Sequence, residues 1–358
     1  MKKMSLGPVS DIVLEELLAR GVYKEVYRVR VNNQEAVLAC PSAENSYSRH
    51  FLWQEIDLYT KLPPHPGLVG YLGYGRGAIV RPRSGRWRAG QAEVEAGDRA
   101  FFYFAGKKKT PGGPVKKSET APGEPGEAEG LPELSLSPFL LLESLDGDMG
   151  EVISLYSAAL VAADNGPALK SVWAALVDAM LQIVEGTIHL ENHRILHLDL
   201  KPSNILLSVR QARDTNLKGQ QYPGEDIRPI FKLADLGICE ELLPEEEWAE
   251  SGSVGSALYA APEVCSQGRA CFRSPVYSCG VIFSHLLLGK HPYDSEKGAK
   301  EAAKGKFRLD LRPVSHLLPR PLVSLVRRMT HPDPFARPDF LEVRRVLRSL
   351  DESLNLSE

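Results

Sequence analysis

The sequence lacks the paired cysteines of a disulfide framework or a zinc site. Its five cysteines, Cys40, Cys239, Cys265, Cys271 and Cys279, are scattered and include no C-x-x-C step. Reduced thiols and a cytoplasmic location are the expectation. Also missing is any uninterrupted apolar run near the ~20 residues that span a bilayer. The first residues, Met1–Pro8, are basic but carry no apolar stretch of the kind a secretory signal needs. Neither sign of charge dominates, with 43 Lys and Arg against 46 Asp and Glu for a net charge of −3. Phosphate affinity needs concentrated positive charge, so neither nucleic acid nor an anionic membrane is the expected partner. No internal repeat is visible. What remains is an ordinary globular mix, 43% hydrophobic and 25% charged over 358 residues. Such a chain can bury a full core and has room for about two domain-sized units.

Hydrophobic period divides the chain. Val26–Val31 and Ala36–Cys40 alternate around an Asn32-Asn33-Gln34 turn and predict a hairpin. Between Ser48 and Leu62, Phe51, Leu52, Ile56, Leu58, Tyr59 and Leu62 recur at near-helical spacing, and Pro63-Pro64 ends the helix. Leu68–Tyr74, Ala78–Arg81, Ala100–Ala105 and Phe139–Glu143 read as further strands. After residue 146 the period moves toward 3.6. Helices are predicted over Lys170–His193, Pro275–Leu288, Pro321–Met329 and Asp339–Leu350, with strands at Ile205–Leu207 and Phe231–Leu233. This is an α+β chain with a small β-rich lobe, 12–145, and a larger helical lobe, 146–350. The tails are 1–11 and 351–358. Two segments stand out as inserts. Residues 106–138 are rich in Gly, Pro, Lys and Glu and bury too little apolar surface to offset ordering. Residues 209–229 form a second loop insert.

The chemistry concentrates in His197-Leu198-Asp199-Leu200-Lys201-Pro202-Ser203-Asn204, followed 31 residues after Asn204 by Asp235-Leu236-Gly237. Two acids, a lysine and an asparagine at these spacings suit phosphoryl transfer. One carboxylate orients a hydroxyl, the asparagine and second carboxylate hold Mg²⁺, and the lysine offsets charge on the moving phosphoryl group.

These motifs resemble the eukaryotic-type protein kinases, as H-x-D-x-K-x-x-N at 197–204 and D-x-G at 235–237. Gly255–Glu263, ending Ala-Pro-Glu, is similar to the close of that family's activation segment. Asp333–Pro338 is similar to its late motif, whose Arg337 would pair with Glu263. The resemblance implies a bilobal kinase fold using ATP and Mg²⁺. It implies Asp199 as catalytic base, Lys201 and Ser256 as the serine/threonine-type pair beside it, and Asn204 and Asp235 as metal ligands. ATP would be met by Gly21, Lys24 and Val26 of the phosphate-covering loop, by Glu55 as the lysine-pairing acid, and by Leu142, Glu143 and Leu145 at the hinge. The substrate would be a protein, with basic segments favoured by an acidic activation segment (Glu240, Glu241, Glu245, Glu246, Glu247, Glu250).

The chain also departs from the family pattern. Ala19–Val26 keeps one of three loop glycines. Whichever of Leu38, Ala39 and Cys40 fills the anchoring-lysine position, none is cationic. Lys24 stands where the third glycine would be, as in the WNK (with-no-lysine) kinases, so Lys24 is expected to reach the phosphates and Glu55 while Cys40 fills the vacated place. Leu198 replaces the arginine that would meet a phosphorylated activation loop. Pro275 replaces the aspartate that braces the catalytic loop. Three readings follow. The first is an active Mg·ATP-dependent serine/threonine kinase. The second is a pseudokinase scaffold or allosteric partner with weak or no turnover. The third is a small-molecule kinase, against which the activation-segment and Arg-Pro motifs count.

Overall fold

A computed structural model describes residues 12–43, 45–80, 88–89, 92–93, 101–104, 137–163, 166–209, 229–251, 255–293, 295, 297–298, 301 and 309–355. The tail 1–11, most of the two inserts (106–136 and 210–228) and residues 356–358 lie outside the described residues. The chain divides into two compact units, Met1–Trp53 with Leu72–Ser144 and Gln54–Tyr71 with Leu145–Glu358.

The first unit is built on β1 (Ile12–Arg20), β2 (Lys24–Val31), β3 (Gln34–Pro41), β4 (Tyr71–Val80), β5 (Phe101–Phe104) and β6 (Ser137–Glu143). They close into a barrel in the order β1-β2-β3-β6-β4-β5. The β2–β3 hairpin turns on Asn32 and Asn33, both at positive φ (48° and 64°). Asparagine tolerates that region, and a two-residue turn of this hand matches strand twist. Gln34 therefore starts β3, paired with Val31, and is not part of the turn. Ile12, Leu14, Tyr27, Val29, Leu38 and Phe139 pack the barrel core. Burying each aliphatic side chain there contributes about 1.5–3 kcal/mol relative to exposure. The two strands expected at Leu68–Tyr74 and Ala78–Arg81 are one strand, β4. Leu68 instead makes a parallel bridge to Leu233. Ser137 and Pro138, assigned to the insert from sequence, open β6.

Helix α1 (Ser48–Lys61) ends ahead of Pro63-Pro64 as its sequence requires. In the second unit, α2 (Met149–Ala162) is capped by Asp148, whose carboxylate accepts the Gly150 N–H at 2.7 Å. The sequence did not announce α2, because apolar residues on most of its faces leave no stripe to read. Helix α3 (Pro167–Asn192) is long and apolar enough to cross a membrane by length and composition alone. Its Leu176, Val177, Met180, Ile183 and Val184 are buried within this unit. The short α4 (Pro262–Gln267) also went unforeseen, while α5 (Ser274–Leu288) and α6 (Arg320–Met329) start one residue before the expected positions. Helix α7 (Phe340–Asn355) continues five residues into the expected tail. Arg344 and Arg348 of α7 pair with Glu185 of α3 at 3.4 and 2.6 Å.

The loop after α1 crosses α3 at two glycines. A Cβ on Gly67 would stand 2.8 Å from the Gly186 Cα, and one on Gly186 would stand 2.6 Å from the Gly67 carbonyl oxygen. Only glycine lets backbone approach backbone this closely. The crossing seats Gly67 against Leu233, whose N–H donates to the Gly67 carbonyl at 2.8 Å.

Candidate active site

A two-stranded ladder carries the chemistry. Strands β9 (Ile205–Ser208) and β10 (Ile230–Leu233) pair with Ile205 opposite Leu233, and β7 (Gly147–Asp148) adds to β9. One step beyond the ladder, the Ala234 N–H donates to the Asn204 carbonyl at 2.9 Å. The catalytic-loop end and the Asp235 segment thus leave the same end of one ladder. Asp235 sits at φ 64°, a conformation rare for a non-glycine residue and found at functional turns.

Asp199, almost fully buried, is the hub. Its Oδ1 accepts the Ser256 N–H at 2.8 Å, and its Oδ2 accepts from Lys201 Nζ at 2.6 Å and from Asn204 Nδ2 at 3.1 Å. Lys201 Nζ also donates to Ser256 Oγ at 3.1 Å. Asn204 Nδ2 donates in addition to the Asp199 carbonyl at 2.8 Å. A carboxylate has about four lone-pair sites, so the three donors leave room for one hydroxyl. The four residues Asp199, Lys201, Asn204 and Ser256 are therefore brought together.

The loop is held from behind. His197 Nε2 donates to the Ala234 carbonyl at 3.0 Å, while its Nδ1 accepts the Asp199 N–H at 3.4 Å. Burial is the largest influence on its pKa and pushes it down, which keeps the ring neutral in this bonding pattern. Arg194, at φ 58°, clamps the loop to the activation segment. Its guanidinium donates to the carbonyls of Leu242 at 3.1 Å, Leu243 at 2.5 Å and Glu246 at 2.6 Å. Strands β8 (Ile195–Leu196) and β11 (Glu240–Glu241) pair beside it. Nothing in the sequence marks Arg194, since an arginine with ordinary neighbours has no motif to announce its positive φ.

The departures from pattern are accommodated. Leu198 is buried in an apolar cluster with Leu196, Leu242, Ala261, Val264, Tyr277 and Val281. Packing holds the activation segment there without a charged partner at position 198. Gly255, at φ 86°, lies so close to Leu198 that a Cβ would stand 2.3 Å from the Leu198 carbonyl oxygen. Pro275 occupies the first turn of α5, where its missing N–H costs nothing. The expected Glu263–Arg337 pair is present and bidentate, 2.8 Å on each arm.

Glu55 is also in this unit. It is buried, and its Oε1 accepts the Leu236 N–H at 3.2 Å. Gln54 Nε2 donates to the Cys239 carbonyl at 2.7 Å. The Cys239 thiol is pushed up well above its usual range by burial first, then by Asp235, Glu55 and Asp199. Asn204 uses its amide N–H groups on Asp199, and among the described residues no hydrogen bond occupies its Oδ1. An amide oxygen beside a carboxylate fits Mg²⁺, which takes one or two protein oxygens and completes its shell with water and phosphate. No group of three or more His, Cys, Asp and Glu among the described residues could hold a metal.

In the first unit, side-chain alternation sorts the remaining residues. Tyr27, Val29, Ala36, Leu38, Cys40 and Leu141 face the barrel core. Lys24 and Val26 therefore lie on the opposite face of β2, and Val26 pairs with Ala39 of β3. Leu142 pairs with Val37 and falls on that same face. Lys24, Val26 and Leu142, three of the residues expected to meet ATP, thus share one face of the sheet, with Lys24 four residues along β2 from the Arg28–Val37–Leu142 row. Cys40 does not join them. It is a core residue, and the expectation that it fills the vacated lysine place is corrected: by period two that face belongs to Ala39. Gly21 closes the β1–β2 turn, its N–H donating to the Lys24 carbonyl at 2.8 Å. Glu143, paired with Ala36, ends β6. Leu145 follows in the second unit.

A protein kinase domain model matches residues 143–346. Human serine/threonine-protein kinase ULK3 is 34% identical over 166 residues, 45% of this chain and 30% of that protein. Serine/threonine-protein kinase ATG1 of Pichia angusta is 28% identical over 170 residues, 47% of this chain and 21% of that protein. Mouse mitogen-activated protein kinase kinase kinase 10 is 29% identical over 184 residues, 50% of this chain and 18% of that protein. The chain spans less than a third of the length of these relatives.

Proposed function

This chain belongs to the protein kinase family, and on that premise we propose that it transfers the γ-phosphoryl group of Mg·ATP to serine or threonine hydroxyls of a protein substrate. The observation that carries the proposal is Asp199, fixed by Ser256, Lys201 and Asn204 with one lone-pair site left for a hydroxyl. In this reading the substrate hydroxyl donates to Asp199 and its oxygen attacks the γ-phosphorus. The bond to the β,γ-bridging oxygen of ATP breaks, ADP leaves, and Asp199 takes the hydroxyl proton. Lys201 neutralises charge on the moving group, and Ser256 holds Lys201 and Asp199 in register. Asn204 and Asp235 would hold Mg²⁺, which supplies counter-charge to the phosphates. Lys24 would supply the cation that β3 lacks, and Glu55 would be its partner. The exposed Glu245, Glu247 and Glu250 of the activation segment favour a basic substrate segment. Five free thiols support the cytoplasm as its compartment.

A second reading, a pseudokinase scaffold, is favoured by the absence of any lysine from β3. The deciding experiment is Mg²⁺- and ATP-dependent phosphorylation of the chain itself and of a generic basic protein. Lys24→Met and Asp199→Asn are run alongside. Loss of activity in both variants supports the enzyme with a displaced lysine. A dead Asp199→Asn beside a normal Lys24→Met keeps the enzyme and sinks the role of Lys24. Silence of all three over several metals and acceptors selects the scaffold.

A further inference from the structure

Far along the chain from the catalytic motifs, a cavity of about 510 Å³ opens along α6. Its lining includes Arg320, Ser324, Arg327 and His331. Arg320, Ser324 and Arg327 recur at i, i+4 and i+7, so they form one stripe along about two turns of the helix, and His331 follows two residues past its end. Arg328 completes the wall, and Ser315 enters from the turn before the helix. Helix α6, sequence RPLVSLVRRM, contains no acidic residue.

The charges facing this cavity are only partly compensated. Arg328 pairs with Glu342 of α7 at 2.5 Å. Asp310 lies near enough to feel Arg327, but both its oxygens already bind Arg312, at 2.9 and 2.8 Å. Among the described residues, no hydrogen bond or ion pair holds the side chain of Arg320 or Arg327. His331 Nδ1 accepts the Asp333 N–H at 3.1 Å, the tautomer that leaves the proton on Nε2. Its Nε2 has no partner among the described residues. The Ser315 hydroxyl donates to the Arg312 carbonyl at 3.2 Å, which leaves two uncommitted guanidinium forks, an imidazole nitrogen and the Ser324 hydroxyl as a donor set for a multiply charged oxyanion.

We propose that this cavity binds the phosphoryl group of a phosphoserine- or phosphothreonine-containing protein segment. It is an open groove with exposed arginines, its volume is more than a phosphate ion needs, and Val323 supplies an apolar wall for neighbouring peptide atoms. Phosphoserine and phosphothreonine are the chemical class that serine/threonine kinases generate. The proposal rests on family membership and not on turnover by this chain, so its test omits ATP.

The probe is a fluorescent degenerate nonapeptide library with phosphoserine fixed at its centre. It is titrated by anisotropy with the full chain, beside libraries carrying serine or glutamate at that position. Expected is saturable binding of the phosphoserine library, with the other two at least about tenfold weaker, since charge-assisted bonds to the dianion are lost. Arg320→Gln/Arg327→Gln weakens binding about tenfold or more while the melting temperature holds, and Asp199→Asn leaves it unchanged. Binding that survives in the double variant but falls in Asp199→Asn places the peptide in the catalytic site and overturns the proposal. Equal affinity for the glutamate library overturns it in favour of general acidic attraction. Inorganic phosphate competing as well as a phosphopeptide overturns it in favour of a simple anion pocket. Absence of binding overturns it outright. If the double variant melts early, Arg327→Gln alone is used, with the same outcomes.

Discussion

Arg337 places all five of its guanidinium donors, two of them in a bidentate pair with Glu263. The others go to the carbonyls of His331, Arg273 and Pro332 at 2.7–2.9 Å. Glu263 Oε1 also accepts from Ser274 Oγ at 2.6 Å. Both partners are almost completely buried, 0% and 3% exposed at the side chain. Their attraction is unscreened, and losing one strands the other.

Arg337→Met therefore costs about 3–5 kcal/mol, the usual size for breaking a buried pair from one side. Glu263→Gln costs less, because the amide still accepts one arm. Urea denaturation of the three proteins reads the order, and a cost under about 1 kcal/mol for Arg337→Met would contradict it.

Asp199→Asn removes the proton acceptor and leaves the shape. Phosphotransfer should fall by about 10²–10⁴-fold, with nucleotide affinity changed far less. Initial rates at saturating ATP test the first expectation, and nucleotide titration by calorimetry the second.

Gly255→Ala drives a Cβ into the Leu198 carbonyl at a backbone angle only glycine adopts freely. The relaxation moves Ser256 away from Asp199. Activity should drop at least about tenfold while stability falls by about 1–3 kcal/mol. Rates matching the unaltered chain would mean the Ser256 contact is dispensable.

Because Leu198 is buried among leucines and valines, a phosphate on the activation segment finds no cation at that position. Phosphatase treatment should leave activity within about twofold of the starting rate. A large fall would show that another basic residue reads such a phosphate.

Two histidines contribute to the acid side of the stability profile. His189, stacked on His65 with ring centroids 4.3 Å apart, is pushed down to about 4 by burial first and then by His65 and His193. His285, bonded to Tyr259 at 3.0 Å, is pushed down to about 4 by burial and by His291. In the unfolded chain both titrate near 6.5, so below that value the unfolded state binds the extra protons. Their contribution is full above about pH 6.5 and is lost progressively as pH falls toward 4. Melting temperatures should decline over that interval, and His189→Gln should flatten part of the slope.

Legibility from sequence followed the physics of each element. Strand alternation and the Asn-Asn turn gave β2 and β3 because register and turn chemistry are local properties. The 197–204 motif gave the Asp199, Lys201 and Asn204 cluster, and the 235–237 motif its neighbour, because their spacing is set by one short ladder. Helix α2 was hidden by its uniform apolarity. Cys40 was misplaced because the strand's face depends on which neighbours form the core, and the motif alone does not say. Arg194 was invisible because its role lies in a positive φ and three distant carbonyls. The cavity on α6 is a basic stripe that sequence shows only as scattered arginines.

The Gly67–Gly186 crossing has an evolutionary consequence. Each glycine leaves space that the other's backbone occupies, so neither site can accept a side chain first and wait for its partner to adjust. No sequence of single viable steps leads away from the pair without moving the whole loop off α3. Descendants of this chain should therefore keep both glycines as one inherited character, even where the surrounding residues of loop and helix have drifted freely.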